Sequence, residues 1–531
     1  MIKTKKQDRF PGIVIAILLL IMESAFILLL LYTKFISVKY ISAIAGILLV
    51  FLLIVYLLVK KVRRTIPFCI GTVLAVLIMA ALGIASLYIY KTVSALDNIT
   101  SVNKETTAIS VYVKQKDTAQ TLAEVSSYEF GILKELDREN TDKALEQMYI
   151  QIGKDVQIKE YENLSALADS LNRGDSGAIL LNRAYLDVLD EMDRYSSFSS
   201  QIREVAVLQV EAMVERTDPK ITPASEAEEE VSLEAEESLK EEDASKAEAP
   251  EEQEKQEVQA EEGVTDEIYT IYVSGIDTRG EMTASSRSDG NIILTINTRT
   301  KQILMVSTPR DYFVPLSISN GVPDKLTHAG IYGVNVSMDT LEMLYDIDIN
   351  YYFRLNFAGF VKIIDALGGI TINSDYDFDS QNEVGYHFNK GENQVNGEQA
   401  LVFSRERYVF KEGDRQRGRN QMAVIQGVVD KVTQPSFLKD YLTFLDSLEG
   451  SFETNIPYDL IASLVRRQLS EGGSWEVLSY SVDGTGDTQK PYSMSANAYV
   501  MIPDQTTVDQ AKVLMKKVRE GFMLSEADVS R

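Results

Sequence analysis

The chain has 531 residues, 45% of them hydrophobic, and a formal net charge of -25. That length accommodates more than one domain with a substantial core. A single cysteine and two histidines exclude an intrachain disulfide and argue against a zinc centre or a cysteine nucleophile.

Three long apolar runs open the chain, at 12–32, 41–59 and 66–90, each long enough to cross a bilayer as a helix. They read as retained transmembrane helices rather than a cleaved leader. Lys3, Lys5, Lys6 and Arg9 precede the first, and Lys60, Lys61, Arg63 and Arg64 separate the second from the third. The loop between the first two carries only Lys34 and Lys39. The positive-inside rule therefore predicts a cytoplasmic tail over 1–11, a three-helix anchor in the cell membrane over 12–90, and extracytoplasmic residues beyond it. The cytoplasmic parts are too small for a helix-turn-helix, so nucleic acid is not an expected partner. Glu23 lies inside the first span, where a carboxylate is costly; a helix–helix contact or a protonated acid is the plainer reading. Cys69 lies in the third span, and an exported mass without cysteines fits a bacterium with a single membrane.

Residues 97–216 read as a small accessory α/β domain. Ile109, Val111 and Val113 alternate as in a strand, 177–182 is a short buried strand, and helical patterns fill 133–149 and 163–171. The tripeptide Arg173, Gly174, Asp175 is read as a helix stop rather than an adhesion motif. Eighteen acidic residues and four lysines then crowd into 218–262, without an apolar period, so 217–263 is expected to be a disordered, self-repelling acidic linker.

From 264 to 521 strands and helices alternate, as in one α/β domain with a twisted mixed sheet covered by helices; 522–531 is left as a tail. A strand from Ile268 delivers Asp277 at its end. Asp289 precedes the next strand, Arg310 and Asp311 follow the third, and helices are expected at 336–345 and 357–367. The densest feature is 403–421, FSRERYVFKEGDRQRGRNQ. On a strand, Arg405 and Arg407 share a face. Arg415, Arg417 and Arg419 precede an amphipathic helix whose N-terminus adds free N–H groups. Arginine forks match phosphate geometry; the alternative is a salt-bridged surface neutralised by Glu406, Glu412 and Asp414. With no GxSxG elbow present, carboxylates and arginines remain, the set suited to phosphoryl transfer with a hard cation. The apolar segments around 360–367 and 422–432 have the spacing of buried helix faces, which ordinary core packing gives.

These motifs, GIDTRG with RSDGNIILTIN, STPRDYFVPL, KLTHAGIYG, FAGFVKIIDALGGI and FSRERYVFKEGDRQRGRNQ, resemble in order and spacing the LytR-CpsA-Psr proteins of Gram-positive bacteria. The three-helix anchor followed by an accessory domain is similar to the capsule-associated members of streptococci and their relatives. The resemblance implies a phosphotransferase that moves a polysaccharide, of capsular type, from polyprenyl pyrophosphate onto a peptidoglycan hydroxyl and releases polyprenyl phosphate. It implies that Asp277 and Asp289 hold Mg2+, with Mn2+ as the other option. Arg287, Arg310, Lys325, Arg405, Arg407, Arg417 and Gln421 would grip the pyrophosphate. Asp414 and Asp289 are the candidates for general base, Asp311 is the expected partner of an arginine, and His328 is either a donor to substrate or a structural residue. A pyrophosphatase and a lipid-glycan-sensing regulator of capsule synthesis are the competing readings.

Overall fold

The computed structural model describes residues 10–34, 36–60, 65–100, 104–213, 222–223, 267–276, 286–434 and 451–530. Helices α1 (Phe10–Thr33), α2 (Val38–Val59) and α3 (Thr65–Thr100) contain apolar stretches of 23, 22 and 27 residues. They are hydrophobic on all sides, as helices surrounded by lipid must be. Leu19, Val55, Val59 and Ala75 form the dry seam between them. Glu23 is turned into the bundle and is 5% exposed, in keeping with a helix-contact role.

The accessory domain is a five-stranded sheet. Its strands are β1 (Lys104–Lys114), β2 (Glu129–Leu133), β3 (Gln157–Tyr161), β4 (Ala178–Asn182) and β5 (Ile202–Met213), in the order β3-β2-β4-β1-β5. β2 runs parallel to β3 and β4, and β1 antiparallel to β4 and β5. Period-two alternation divides β1 between two cores. Ile109, Val111 and Val113 pack with α4 (Arg138–Ile152) through Ala144 and Met148. Tyr112 turns to the other face, toward Leu167 and Leu171 of α5 (Leu164–Arg173) and Tyr185 and Val188 of α6 (Tyr185–Asp190). Gly174 ends α5 at φ 85°, and Asp175 pairs with Arg173 at 2.9 Å. That is the helix-stop geometry read from the tripeptide.

The acidic linker lies outside the described residues, except that Thr222 and Pro223 pair with Ile268 and Glu267. The strand they meet, β6 (Glu267–Ile276), belongs to a mixed sheet with β7 (Ser288–Asn297), β8 (Gln302–Ser307), β9 (Tyr351–Asn356), β10 (Phe452–Thr454) and β11 (Glu476–Ser481). The order is β10-β9-β6-β7-β8-β11. β9 is parallel to β6 and β11 to β8, and the other pairs are antiparallel. The helices are α7 (Val334–Tyr345), α8 (Phe357–Ala366), α9 (Gly397–Arg405), α10 (Asp414–Val432), α11 (Tyr458–Glu471) and α12 (Gln505–Arg519). One sheet face is a closed core in which Tyr272, Ile293 and Leu304 meet Met338 and Leu341 of α7 and Val508 and Leu514 of α12. α8 and α10 cover the other face.

Two expectations change. Arg405 and Arg407 are not on a strand: Arg405 is the last residue of α9, whose start is fixed by an Asn396–Gln399 capping box, and Arg407 follows in a loop. The helix signal of the capping box prevails over the strand-favouring aromatics. The strand after Gly369 (Ile370–Ser374) pairs only with Gly391–Val395, outside the main sheet. Its Ile370 and Ile372 join a cluster with Phe378, Phe388 and Phe403 instead. The second change is that residues 522–530 are no tail, because Leu524 and Val529 enter the closed core and Gln302 exchanges hydrogen bonds with the Leu524 backbone.

α8 begins at the end of β9, with Asn356 accepting from the Gly359 N–H at 2.7 Å. A Cβ built on Gly359 would lie 1.8 Å from the Ser451 carbonyl oxygen, so only glycine lets α8 approach β10 this closely. Gly359→Ala is expected to destabilise the C-terminal α/β domain by about 1–3 kcal/mol, the scale of overpacking, read as a lower thermal midpoint of the full chain in detergent.

Candidate active site

Because side chains alternate along strands, Ile271 and Val273 of β6 and Ile292 and Leu294 of β7 point away from the closed core. They form the floor of a cavity of about 510 Å³ roofed by α8 and α10. Phe360, Ile363 and Ile364 of α8 and Val424, Ile425 and Val428 of α10 line it. The two apolar helix segments singled out in the sequence therefore wall a real space. Protein interiors rarely leave voids larger than a water molecule, and this volume lies in the range of ligand sites.

Charge gathers in one part of the wall. Arg287, Arg310, Arg405, Arg407 and Arg417 line the cavity with Gln421, against the single carboxylate of Asp289 among the described lining residues. Asp289 occupies a β-bulge: Gly275 pairs with Gly290 and Ile276 with Ser288, so Asp289 is the extra residue. A bulge frees a side chain from sheet alternation and re-aims it. Arg310, in the loop after β8, donates from Nη1 to Asp289 Oδ1 at 2.7 Å. Burial pushes the Asp289 carboxyl up, but Arg310, Arg417 and Arg287 outweigh it and hold the group below its ordinary value. Arg310 loses hydration on burial, yet Asp289 and Asp311 raise its pKa further and fix its charge.

α10 supplies the opposite wall. Arg417 pairs with Asp414 one turn earlier and donates from Nη2 to the Asp289 carbonyl at 3.4 Å. Asp414 also accepts from the Arg310 backbone N–H at 3.3 Å, so Asp289, Arg310, Asp414 and Arg417 form one connected cluster. Gln421 stands one turn further along α10, against Gly290. Arg415 and Arg419 are engaged elsewhere, with Asp483 and Glu412 respectively. Of the three arginines at the start of α10, Arg417 alone lines the cavity. On the α9 side, the Arg405 guanidinium stacks over Phe357 at 4.3 Å and Arg407 over Tyr408 at 4.9 Å. Arg407 also donates from Nη2 to the Tyr408 hydroxyl at 2.9 Å; neither arginine is neutralised by its ring, which leaves N–H groups of both for an anion.

Not every expected residue belongs to this wall. Asp277 lies outside the described residues. Lys325 is buried, 2.8 Å from Glu191 of the accessory domain and 3.6 Å from Asp311, and does not line the cavity. Asp311 also sits 3.7 Å from Arg310, the arginine-partner role read from the sequence. His328 is fully buried, its Nδ1 bonded to Asp324 at 2.7 Å and to Ser493 at 2.8 Å. It is a structural residue here rather than a donor at the cavity. The other histidine, His387, is half exposed and paired with Asp379.

Sequence reasoning cast Glu406 as a neutraliser of its arginine neighbours, and the structure gives it another task. Fully buried, it accepts from Ser380 Oγ and the Gln381 and Asn382 N–H groups through one oxygen, and from the Arg407 and Tyr408 N–H groups through the other. It thereby folds the backbone that presents Arg405 and Arg407. The only sequence cue was an acid between two arginines at a helix end. Burial raises the Glu406 pKa, but hydrogen bonds from Asn382, Ser380, Tyr408 and Gln381 outweigh it and leave the group below its ordinary value. The carboxylate form thus favours the fold, a contribution complete above about pH 4.3 and lost as pH falls through the lower folded-state pKa. Glu406→Gln should lower stability at neutral pH by about 1–3 kcal/mol and show a shallower loss on acidification, measured as thermal midpoint against pH.

No group of three or more His, Cys, Asp or Glu side chains gathers around one point among the described residues. The donors near the arginines are carboxylate oxygens, which suit a hard cation completed by ligand oxygens rather than an all-protein metal cage.

Residues 233–517 match the family model of the LytR_cpsA_psr family. Similar curated proteins include the polyisoprenyl-teichoic acid–peptidoglycan teichoic acid transferases TagU of Enterococcus faecalis and Bacillus cereus. The first is 34% identical over 225 residues, 42% of this chain and 72% of that protein; the second is 36% identical over 194 residues, 36% of this chain and 62% of that protein. Among solved structures, Bacillus subtilis TagV is 27% identical, with a TM-score of 0.41 over 48% of this chain and 98% of its own. With the matched region spanning more than half of its length, the chain belongs to the LytR_cpsA_psr family.

Proposed function

We propose that the protein transfers a polysaccharide, of capsular type, from polyprenyl pyrophosphate to a hydroxyl of peptidoglycan. The observation that carries this reading is the cationic wall at one part of a large apolar cavity: a lipid chain fits the apolar part, and a pyrophosphate fits the arginines. The named activity of the TagU relatives, transfer of teichoic acid from a polyisoprenyl carrier to peptidoglycan, is of the same reaction class. The anchor supports it too. Tyr458 donates to the Thr33 carbonyl at 3.1 Å and Lys34 pairs with Asp459 at 3.1 Å. Ile456 of the cavity wall is thus two residues from the end of the helical bundle. A membrane-held carrier reaches such a cavity with little loss of freedom. This contact also puts the α1–α2 loop and the catalytic domain at the same end of the bundle, in keeping with both being extracytoplasmic.

In the reaction, the acceptor hydroxyl oxygen attacks the phosphorus that bears the glycan. The bond from that phosphorus to the bridging oxygen breaks, polyprenyl phosphate leaves with the electron pair, and the hydroxyl proton passes to a carboxylate. Asp289 is kept charged by three arginines and is assigned to the cation. Asp414, which lines the small pocket adjoining Asp289, Arg310 and Arg417, is the remaining carboxylate of the cluster and is assigned as general base. Arg310, Arg405, Arg407 and Arg417 stabilise the charge building on the phosphate oxygens, with Arg287 as a further cation. Asp289, together with Asp277, would hold Mg2+ or Mn2+ against the pyrophosphate. When bound, the ion offsets charge on the leaving phosphate.

The test uses the full chain in detergent with a polyprenyl-pyrophosphate glycan, with and without peptidoglycan fragments. Arg310→Ala and Asp289→Asn should each lower transfer by about 100-fold or more, the scale of losing one preorganised charge contact. EDTA should abolish transfer and Mg2+ restore it. Release of free phosphoglycan regardless of acceptor would instead identify a pyrophosphatase. Val428→Trp, which fills the cavity, should raise KM for long-chain carriers by about tenfold, a 1.4 kcal/mol effect, and leave carriers of two or three isoprene units nearly unaffected.

A further inference from the structure

We propose that Glu191 of the accessory domain is a positioning residue of the active site, holding Arg287 in place so that the accessory and catalytic domains act as one catalytic unit. This rests on the transferase reading only in that Arg287 is taken to meet a pyrophosphate. Glu191 caps the C-terminal end of α6. One of its oxygens pairs with Arg287 and the other lies 2.8 Å from Lys325 Nζ. Asp187, one turn earlier on α6, is 3.6 Å from Arg287. The accessory domain therefore reaches, through one short helix, two of the three cations, Arg287 and Lys325, that the sequence assigned to the phosphate site ahead of the arginine-rich segment.

The geometry distinguishes a brace from a competitor. Arg287 lines the cavity, while Glu191 and Lys325 do not. Glu191 thus stands behind the arginine rather than in the place of a bound anion. Lys325, 5% exposed and shared with Asp311, serves Glu191 as a fixed counter-charge. Glu191, 24% exposed, borders a buried apolar seam: Ile331 and Met494 of the catalytic domain are buried in the same cluster as Tyr185, Leu189 and Met192. Tyr332 meets Tyr185 edge-on at 6.2 Å. A carboxylate tied to Lys325 by one oxygen and to Arg287 by the other, on a helix packed in that seam, is held in place as a brace. An arginine already fixed loses less rotamer freedom on binding. Burial raises the Glu191 pKa, but Lys325 and Arg287 outweigh it and keep the group below its ordinary value, so it remains a charged brace.

The effect must run through Arg287, which a double-mutant cycle detects. Geranylgeranyl pyrophosphate binding to the full chain in detergent would be measured by calorimetry for wild type, Glu191→Ala, Glu191→Gln, Arg287→Ala and the Glu191→Ala/Arg287→Ala pair. Glu191→Ala should weaken binding about tenfold on the wild-type background and less than about twofold where Arg287 is already alanine, a coupling of about 1–1.4 kcal/mol. Glu191→Gln, which keeps the shape and one acceptor, should fall between and supplies the cycle if the alanine variant does not fold. An equal loss on both backgrounds would reduce Glu191 to domain glue, and tighter binding in Glu191→Ala would make it a competitor; either overturns the proposal. A wild type that binds but transfers nothing to peptidoglycan sinks the transferase reading and leaves the cycle to decide Glu191. A wild type that binds no pyrophosphate overturns both.

Discussion

One constraint underlies the catalytic domain: a sheet with two apolar faces, one packed throughout and the other only in part. α7 and α12 pack tightly on the face carrying Tyr272 and Ile293. α8 and α10 span the other without meeting over Ile271 and Leu294, and the gap becomes the cavity. Leaving such a space open forfeits dispersion and hydrophobic stabilisation that a packed core would supply. The closed core, extended by Leu524 and Val529, offsets that loss. Close backbone approaches at Gly359 and Gly427 then fix both covering helices firmly enough for the cavity to keep its shape.

The cationic wall follows from how these elements end. A bulge re-aims Asp289, the loop after β8 delivers Arg310, and the first turns of α10 present Arg417 and Gln421. Five arginines around one cavity repel one another, and the structure limits this by pairing. Asp289 and Asp414 hold Arg310 and Arg417, and the rings of Phe357 and Tyr408 hold Arg405 and Arg407 without neutralising them. The result is fixed cations with a net positive field, which an anionic ligand can use without reorganising the site. Glu406 serves the same end from beneath, spending its charge on backbone N–H groups rather than on the arginines beside it.

The anchor and the accessory domain touch the catalytic domain at different places. The α1–α2 end of the bundle meets α11 near the cavity wall at Ile456, whereas α6 of the accessory domain meets Arg287 and Lys325. The apolar and charged parts of one cavity are therefore each bordered by a different part of the chain.

Much of this was legible in the sequence, for physical reasons that also mark its limit. Three apolar runs, the alternation of Ile109, Val111 and Val113, the helix stop at Gly174, and the order of the acid and arginine motifs are local signals, set by burial period, backbone freedom and residue chemistry. They were enough for the membrane anchor, the α/β class and the family. The FSRERY segment misled because its aromatics favour a strand, while the Asn396 capping box, seven residues upstream of Phe403, had already committed the chain to helix. The pairing of Arg415 and Arg419 away from the cavity, the removal of Lys325 from its wall, the backbone role of Glu406 and the reach of Glu191 to Arg287 involve partners that sequence does not rank. A charged side chain's role depends on which opposite charge lies within a few ångströms, and that distance is fixed only when distant segments pack together. The sequence by itself determined which residue types would meet an anion beside a membrane; the tertiary structure decided which of them face the cavity and which hold the others in place.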